Sequence, residues 1–195
     1  MRFSDWHVLV DNGFGVTAEF ARVRRDILEG IDAIRWPPGA HDFALRPADL
    51  RARPQQRNGV KPIKEAFVSL LADRGWRLEH DLFDAHLTLP GGVPFAVEWE
   101  TGNISSSHRA MNRLGLGMHE GRIGGGILVV PTRALYAHLT DRIGNFAELE
   151  RYLPLWERWD GEPGFGYLAV VTVEQDRLDP TAPYIPRGTD GLALP

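Results

Sequence analysis

The sequence predicts an α/β fold in which a mixed central β-sheet is flanked by helices. Two observations carry this prediction. Apolar residues recur every three to four positions at 16–34 and at 105–118, as expected of amphipathic helices. Short apolar runs bounded by glycine and proline lie between and after these segments and are typical of strands. The resulting order is helix, loop, helix, three strands, helix, strand, helices and strand, which favours helices packed against a sheet.

The first half of the chain is predicted to contain two helices joined by a long loop. The first helix spans 16–34, and Thr17 can cap its start. The segment 36–59 contains four prolines and is predicted to be irregular, with one short helical turn near 47–51. The second helix is expected at about 62–74, because a proline opens it and a glycine follows it.

Strands dominate the pattern after this second helix. The turn Pro90-Gly91-Gly92 predicts an antiparallel hairpin between the second and third strands, and the later strand at 127–130 is of the fully buried kind. The tail from residue 179 is rich in proline and is expected to form an irregular arm. The predicted strands are 76–83, 85–89, 95–101, 127–130 and 167–173. Further helices are predicted at 105–118, 133–143 and 146–156.

Length and composition narrow the class of protein. A chain of 195 residues suits one domain, so we expect 1–195 to form a single domain with its core at about 58–175 and irregular segments at 36–59 and 179–195. The absence of cysteine excludes thiol catalysis, disulfides and zinc bound by cysteine. The sequence contains no apolar run of eighteen residues and no signal-peptide pattern at its start, so we expect a cytoplasmic protein without a membrane span.

The net charge of −4 argues against nonspecific wrapping of nucleic acid, but the charge is unevenly distributed. Between residues 46 and 64 there are six basic residues against one acid, whereas nine acids outnumber four bases between 146 and 195. Such separation allows one face to bind a polyanion. The alternative is that the basic loop is simply solvated, and charge alone leaves both interpretations open.

The most informative feature is a group of acidic residues on the predicted hairpin. Glu98 and Glu100 are two apart on one strand and therefore project to the same face, with Val97 and Trp99 packed behind them. The hairpin brings Asp84 near Glu98. Neighbouring carboxylates repel one another, and a hard divalent cation such as Mg²⁺ would compensate their charge and activate a water molecule. The alternative is an edge strand whose acids are merely solvated.

These residues resemble a known family. The arrangement resembles the PD-(D/E)XK nuclease core in its BamHI/BglII-like branch of type II restriction endonucleases. The resemblance depends on Phe83-Asp84, then Val97-Glu98-Trp99-Glu100, then a helix after Gly102-Asn103. The resemblance covers roughly 58–130. That branch has glutamate or glutamine where other members have lysine, and Glu100 matches the glutamate version.

The resemblance implies a restriction-endonuclease-like core and a role for each acid. Asp84 and Glu98 would be ligands of Mg²⁺, and Glu100 would orient or deprotonate the attacking water. Glu65, in the first turn of the helix before the hairpin, would match an upstream glutamate that assists the site. The alternative for Glu65 is that it stabilises its own helix through the helix dipole.

The segment directly after the acids is predicted to bind DNA. It is rich in hydrogen-bond donors, and serine hydroxyls and backbone N–H groups at a helix N-terminus suit phosphate oxygens. Arg109 and Arg113 lie four apart on one helix face. The alternative is that Ser105 caps the helix and the rest is ordinary surface. The predicted DNA-binding residues here are Asn103, Ser105, Ser106, Ser107, His108, Arg109 and Arg113. Arg53 and Arg57 of the basic loop are added to them.

The sequence thus predicts a type II restriction endonuclease that cuts double-stranded DNA as a homodimer, because symmetric cutting of a palindrome requires two copies of one active site. The resemblance implies a recognition site with a GATC core. Three alternatives stay open: a structure-specific or repair nuclease on the same core, a non-catalytic module that binds nucleic acid or protein, and a phosphatase or nucleotide hydrolase.

Overall fold

The structure is a computed structural model that describes residues 1–52, 55–80, 83–140 and 143–187. The strands in this part of the chain are β1 (Arg2–Asp11), β2 (Ala44–Leu45), β3 (Arg77–His80), β4 (Phe83–Thr88), β5 (Pro94–Trp99), β6 (Gly125–Pro131), β7 (Tyr167–Glu174) and β8 (Arg177–Leu178). The α-helices are α1 (Ala18–Asp32), α2 (Lys61–Asp73), α3 (Ile104–His119), α4 (Arg133–Tyr136), α5 (Phe146–Leu149) and α6 (Leu153–Trp156). Single 3₁₀ turns lie at Phe14–Val16, Glu150–Tyr152 and Glu157–Trp159.

A six-stranded sheet organises the fold, with the strand order β1-β7-β6-β5-β4-β3. Strands β5, β6 and β7 are parallel in its centre, whereas β1 runs antiparallel to β7, and β3 and β4 form antiparallel pairs beside β5. The predicted class, an α/β fold with a mixed central sheet flanked by helices, is confirmed.

Apolar layers cover both faces of this sheet. Along β6, Ile127 and Val129 pack into the layer that contains α1 and α2, whereas Leu128 and Val130 pack into the layer that contains α3 and the segment of α5 and α6. Successive residues of a strand point to opposite faces, so a strand between two helical layers must be apolar throughout. This is why β6 has the continuous apolar sequence from which it was predicted.

The predicted amphipathic helices are present. Helix α1 begins after Thr17, whose hydroxyl accepts a hydrogen bond from the Phe20 N–H at 3.1 Å, as predicted. Its buried stripe includes Val23, Ile27 and Ile31. Helix α2 starts with Pro62 in its first turn, also as predicted. Among the described residues, no helix combines the length and the apolar composition needed to cross a membrane.

The N-terminal strand was not predicted. Residues 2–11 pair with β7 along its whole length and form one edge of the sheet, and Met1 belongs to the core although it lies before the predicted core range. Most side chains of β1 are exposed or half-buried, so polar residues interrupt the alternation by which a strand is recognised.

Two predicted helical segments are shorter or less continuous than expected, and the prediction of a third is wrong. Helix α4 covers only the first turn of 133–143, and 146–156 is broken into α5, a 3₁₀ turn and α6. The helical turn predicted at 47–51 is absent. Instead the Asp49 carboxylate accepts hydrogen bonds from the backbone N–H groups of Arg51 and Ala52, and the Asp49 backbone pairs with Gln56. A side chain that bonds to its own backbone in this way competes with helix formation.

The segment 36–59, which contains most of the basic stretch, and the tail are irregular, as predicted, but they are packed against each other. Strand β2 in the loop pairs with β8 just before the tail, and the Trp36 indole donates to the Pro183 carbonyl at 2.8 Å. The Tyr184 hydroxyl donates to the Pro47 carbonyl at 3.2 Å. The described part of the tail is therefore a strap that holds the loop.

Asn58 connects this strap to the rest of the protein. Its side chain is fully buried, donating to the carbonyls of Arg46 and His138 at 2.8 and 2.9 Å and accepting from the Ile185 N–H at 3.1 Å. The next residue must be glycine, because a Cβ on Gly59 would lie 2.0 Å from the Pro186 carbonyl oxygen. Three separate segments thus meet directly before α2.

Replacing Asn58 by alanine should therefore destabilise the protein. The substitution leaves two buried carbonyls and one buried N–H without their partner, which we expect to lower the free energy of unfolding by about 3 kcal/mol. Chemical denaturation of the wild type and the variant measures this difference. Gln55→Ala, at an exposed glutamine three residues earlier, is the control and should change stability by less than about 1 kcal/mol. Equal effects of the two substitutions would show that Asn58 does not connect these segments.

Candidate active site

The predicted hairpin places Asp84 directly opposite Glu98. Strands β4 and β5 are antiparallel, with Ala85 paired to Val97, and the same register continued by one residue sets Asp84 against Glu98. Asp84 accepts a hydrogen bond from the Trp99 N–H at 2.8 Å, which ties its carboxylate to the end of β5. The hairpin and the proximity of these two acids are confirmed.

Glu98 is the most buried acid of the site. Glu98 is only 2 % exposed, because it lies on the face of β5 that α3 covers. Val97 and Trp99 pack into the opposite layer, as predicted. Burial, as the largest cause, and the nearby charge of Asp84 together raise the pKa of Glu98 to about 7. The Arg113 guanidinium opposes this shift, with its Nε donating to Glu98 Oε1 at 2.9 Å.

Glu100 is half-buried just beyond the end of β5. Its N–H donates to the Val129 carbonyl at 2.9 Å, so the backbone continues the pairing with β6. Burial raises the pKa of its carboxyl, a hydrogen bond from the Gly102 N–H opposes the shift, and the charge of Asp84 adds to it. The charges of Asp84 and Glu100 raise the pKa of Glu98, and the charge of Asp84 raises that of Glu100, so the three acids lie near one another.

The sequence prediction missed a basic residue at the centre of this cluster. Lys64, on α2, lies with its Nζ 2.6 Å from Asp84 Oδ1. Its charge also opposes the rise in the pKa of Glu100. The available signal was the position of Lys64, which precedes Glu65 and ends the basic stretch at 46–64. No spacing rule links a helix residue to a strand residue twenty positions later, so only the packing of α2 brings them together.

The acids are chemically suited to a divalent cation, although they do not form a complete cage. Across the described ranges, no three histidine, aspartate or glutamate side chains are arranged closely enough to hold a metal ion. Mg²⁺ in proteins is commonly bound by one or two carboxylates, with water and substrate phosphate completing its octahedron. Asp84 and Glu98 would supply such a pair, and their repulsion favours a cation between them.

Glu65 lies on α2, one residue after Lys64, and just beyond the first turn in which it was expected. Its side chain is 61 % exposed and 3.8 Å from the Lys61 ammonium. In this arrangement it contacts a lysine of its own helix, and its assisting role stays a prediction.

The predicted DNA-binding segment begins α3 directly beside the acids. The Asn103 side chain caps this helix by accepting from the Ser106 N–H at 3.1 Å, a role that the alternative interpretation gave to Ser105. Ser105 is exposed at the helix start. Arg109 is exposed, and its guanidinium donates to the Ser106 hydroxyl at 2.8 Å.

Other predicted DNA-binding residues have different surroundings. Ser107 is fully buried beneath Gly144 and presents no hydroxyl to solvent. His108 packs edge-on against Tyr152, with ring centroids 4.6 Å apart. Arg57 donates to the Leu139 carbonyl at 3.3 Å, and Arg53 lies outside the described residues.

Comparison with known proteins gives consistent matches. The family model described as restriction endonuclease BamHI matches residues 1–192. The type II restriction enzyme OkrAI of Oceanobacter kriegii is 40 % identical over 204 residues, covering 100 % of both chains. The type II restriction enzyme BamHI of Bacillus amyloliquefaciens is 34 % identical over 174 residues, covering 81 % of this chain and 76 % of the relative.

Solved structures match at the level of the fold. Restriction endonuclease BglII complexed with a DNA 16-mer has a TM-score of 0.57 at 9 % identity, covering 89 % of this chain and 79 % of that chain. Free BglII has a TM-score of 0.56 at 12 % identity, covering 90 % and 81 %. The restriction-endonuclease-like fold predicted from the sequence is confirmed.

The raised pKa of Glu98 predicts how stability depends on pH. Below pH 4.5 the carboxyl is neutral in both folded and unfolded chains, whereas between pH 4.5 and about 7 the folded chain binds the proton more tightly. Wild-type stability should therefore fall relative to Glu98→Gln as pH rises through this window, by on the order of 3 kcal/mol.

Thermal and chemical unfolding of both proteins at pH 5 and pH 8, in the same chelator-containing buffers, measures this effect. The chelator ensures that bound metal stabilises neither protein. A stability difference between wild type and Glu98→Gln that is the same at both pH values would contradict the assigned burial of the charge.

Proposed function

The chain belongs to the BamHI family of restriction endonucleases, and we propose that Asp84, Glu98 and Glu100 form its active site. It is accordingly a type II site-specific deoxyribonuclease that hydrolyses phosphodiester bonds of double-stranded DNA. The observation that supports this site is the strand register that sets Asp84 opposite Glu98, with half-buried Glu100 electrostatically coupled to both. Membership of a family of restriction enzymes leaves no reason to prefer a non-catalytic module or a small-molecule phosphatase.

Nucleases of this family are metal-dependent, and we propose Mg²⁺ as the ion. Asp84 and Glu98 would hold it through carboxylate oxygens. When bound, it would polarise a phosphoryl oxygen and lower the pKa of a coordinated water. The backbone N–H of Trp99 donates to Asp84 Oδ2 at 2.8 Å and so orients this carboxylate.

Glu100 would orient or deprotonate the attacking water. A glutamate with an ordinary pKa is a weak base, but burial and the charge of Asp84 raise the pKa of Glu100. The Gly102 N–H at 3.3 Å from Glu100 Oε1 fixes the direction of the carboxylate. We retain Glu65 as an assisting residue, since its exposed side chain follows Lys64 in α2.

DNA would lie across the start of α3. Its exposed N-terminal residues and the basic loop offer donors to phosphates and base edges. Ser107 is left out of this contact surface because it is fully buried beneath Gly144. The residues proposed to contact DNA are Asn103, Ser105, Ser106, His108, Arg109, Arg113 and Arg57, with Arg53 as a further candidate outside the described residues.

The enzyme would act as a homodimer on a palindrome with a GATC core, in the cytoplasm where its DNA substrate is found. One chain holds one active site, so cutting both strands symmetrically requires two chains. Two exposed leucines support an interface on the α3 side of the sheet. Leu116 on α3 is 50 % exposed and Leu155 on α6 is 60 % exposed. The two helices are in contact, with the Trp156 indole donating to Asn112 Oδ1 at 3.4 Å.

Incubating the purified protein with plasmid DNA and Mg²⁺ tests the proposed activity. Discrete fragments are expected with Mg²⁺ and none with chelator, and mapping their ends gives the recognition sequence. Asp84→Ala and Glu98→Ala should reduce cutting by at least about a hundredfold while the proteins remain folded. Asp32→Ala, at an exposed aspartate beyond the active site, is the control and should cut normally.

Two outcomes of this assay would contradict the proposal. A smear of random products would favour a structure-specific or repair nuclease on the same core. Wild-type cutting by the Asp84 or Glu98 variant would show that the metal ligands are assigned wrongly.

A charge on the proposed dimer face should separate the two chains. Leu116→Glu places a carboxylate in an apolar contact, so we expect a monomer by light scattering and loss of concerted double-strand cutting. Val16→Glu is the matched control, because Val16 is 90 % exposed and lies before α1, whose buried residues pack on the opposite face of the sheet. A monomer produced by Val16→Glu, with Leu116→Glu remaining dimeric, would place the interface on the α1 side instead.

A further inference from the structure

Both proposed metal ligands already contact a basic side chain. Lys64 Nζ lies 2.6 Å from Asp84 Oδ1, and Arg113 Nε lies 2.9 Å from Glu98 Oε1. The two acids come from the adjacent strands β4 and β5, whereas the two bases come from α2 and α3. Each carboxylate is therefore neutralised by a different helix.

These contacts occupy the oxygens that a metal ion would use. The other oxygen of Asp84 accepts from the Trp99 N–H at 2.8 Å, so both of its oxygens have protein donors. An ammonium or guanidinium group at hydrogen-bond distance from a carboxylate oxygen repels a dication that approaches the same oxygen and so weakens its binding. The Lys64 ammonium therefore opposes metal binding at Asp84 Oδ1, and the Arg113 guanidinium opposes it at Glu98 Oε1.

The basic groups are better exposed than the acids they contact. The side chains of Lys64 and Arg113 are 38 % and 42 % exposed, whereas those of Asp84 and Glu98 are 17 % and 3 % exposed. The acids thus lie behind the bases as seen from solvent. An incoming DNA backbone would meet the two cations first.

We propose that Lys64 and Arg113 are exchangeable counter-ions of the active site. Without DNA they neutralise Asp84 and Glu98. When DNA binds, they transfer to phosphate oxygens and leave the carboxylate oxygens open to the metal ion. This inference rests on the proposed active site. It adds that the binding of DNA and the binding of the metal ion are coupled.

The exchange avoids an unpaired charge at every stage. A buried carboxylate that loses its cation is strongly disfavoured unless another cation replaces it. Ammonium and guanidinium groups bind phosphate as readily as carboxylate, so each base also keeps an anionic partner. Because linkage is reciprocal, DNA strengthens metal binding by the same factor by which metal strengthens DNA binding. The free enzyme accordingly binds the ion weakly.

Calorimetric titration of the DNA-free protein with Mg²⁺ tests the first half of the exchange. Lys64→Met removes the cation on Asp84, and we expect Mg²⁺ to bind at least about fivefold more tightly than to the wild type. Lys61→Met is the matched control. It removes the same charge one turn earlier on α2, where Lys61 lies 3.8 Å from Glu65, and it should leave the affinity within about twofold.

Binding to a DNA fragment that the wild type cuts, measured in chelator, tests the second half. If Lys64 transfers to a phosphate, Lys64→Met should weaken this metal-free complex and reduce the slope of log affinity against log salt by about one. Lys64→Arg keeps the charge and should restore the wild-type slope. If Lys64→Met does not unfold cooperatively and is therefore not properly folded, Lys64→Gln replaces it in both measurements. The expected results are the same.

The outcomes separate this inference from the proposed function. Mg²⁺ affinity in Lys64→Met that equals or falls below the wild-type value overturns the counter-ion role, as does an equal gain in Lys61→Met. An unchanged salt slope overturns the transfer to phosphate. Failure of the wild type to cut any DNA counts against the proposed function, and the DNA-free titration still decides whether Lys64 competes with the ion.

Discussion

The repulsion among three carboxylates in one partly buried cluster is the constraint on which the rest of the site depends. Asp84 lies on β4, Glu98 lies on β5 and Glu100 follows the end of β5. The buried position of Glu98 makes its charge costly without a neighbouring cation. Helix α3 supplies Arg113 next to Glu98, and helix α2, from the opposite layer of the sheet, supplies Lys64 next to Asp84. The elements around the acids are therefore held together by charge as well as by apolar packing.

The sheet determines where this charge can accumulate. The antiparallel hairpin of β4 and β5 sets two acids opposite each other, and the parallel pairing of β5 with β6 directs the chain after Glu100 into α3. The acids and the donor-rich start of α3 thus lie at the same end of one strand. For a nuclease this arrangement is useful, because the groups that hold the metal and the groups that contact phosphate are positioned by the same rigid element.

Sequence reasoning was most successful where apolar periodicity was strong. The cap at Thr17, the hairpin and the buried strand β6 could all be predicted, because each depends on residues close together in the chain. It failed where a local pattern was weak or was overridden. Polar residues obscure the pattern of β1 on its exposed edge, and the Asp49 side chain bonds to backbone that would otherwise have formed a helical turn.

The same division applies to the site. The spacing of Glu98 and Glu100, and the turn that leads back to Asp84, are properties of one short stretch, so the sequence by itself determined the acidic cluster and its family. It could not determine the partners of those acids. Lys64 reaches Asp84, and Arg113 reaches Glu98, only because α2 and α3 pack against the sheet. Contacts between distant segments have no signature in local spacing, and therefore only the tertiary structure decided how the charge of the site is balanced.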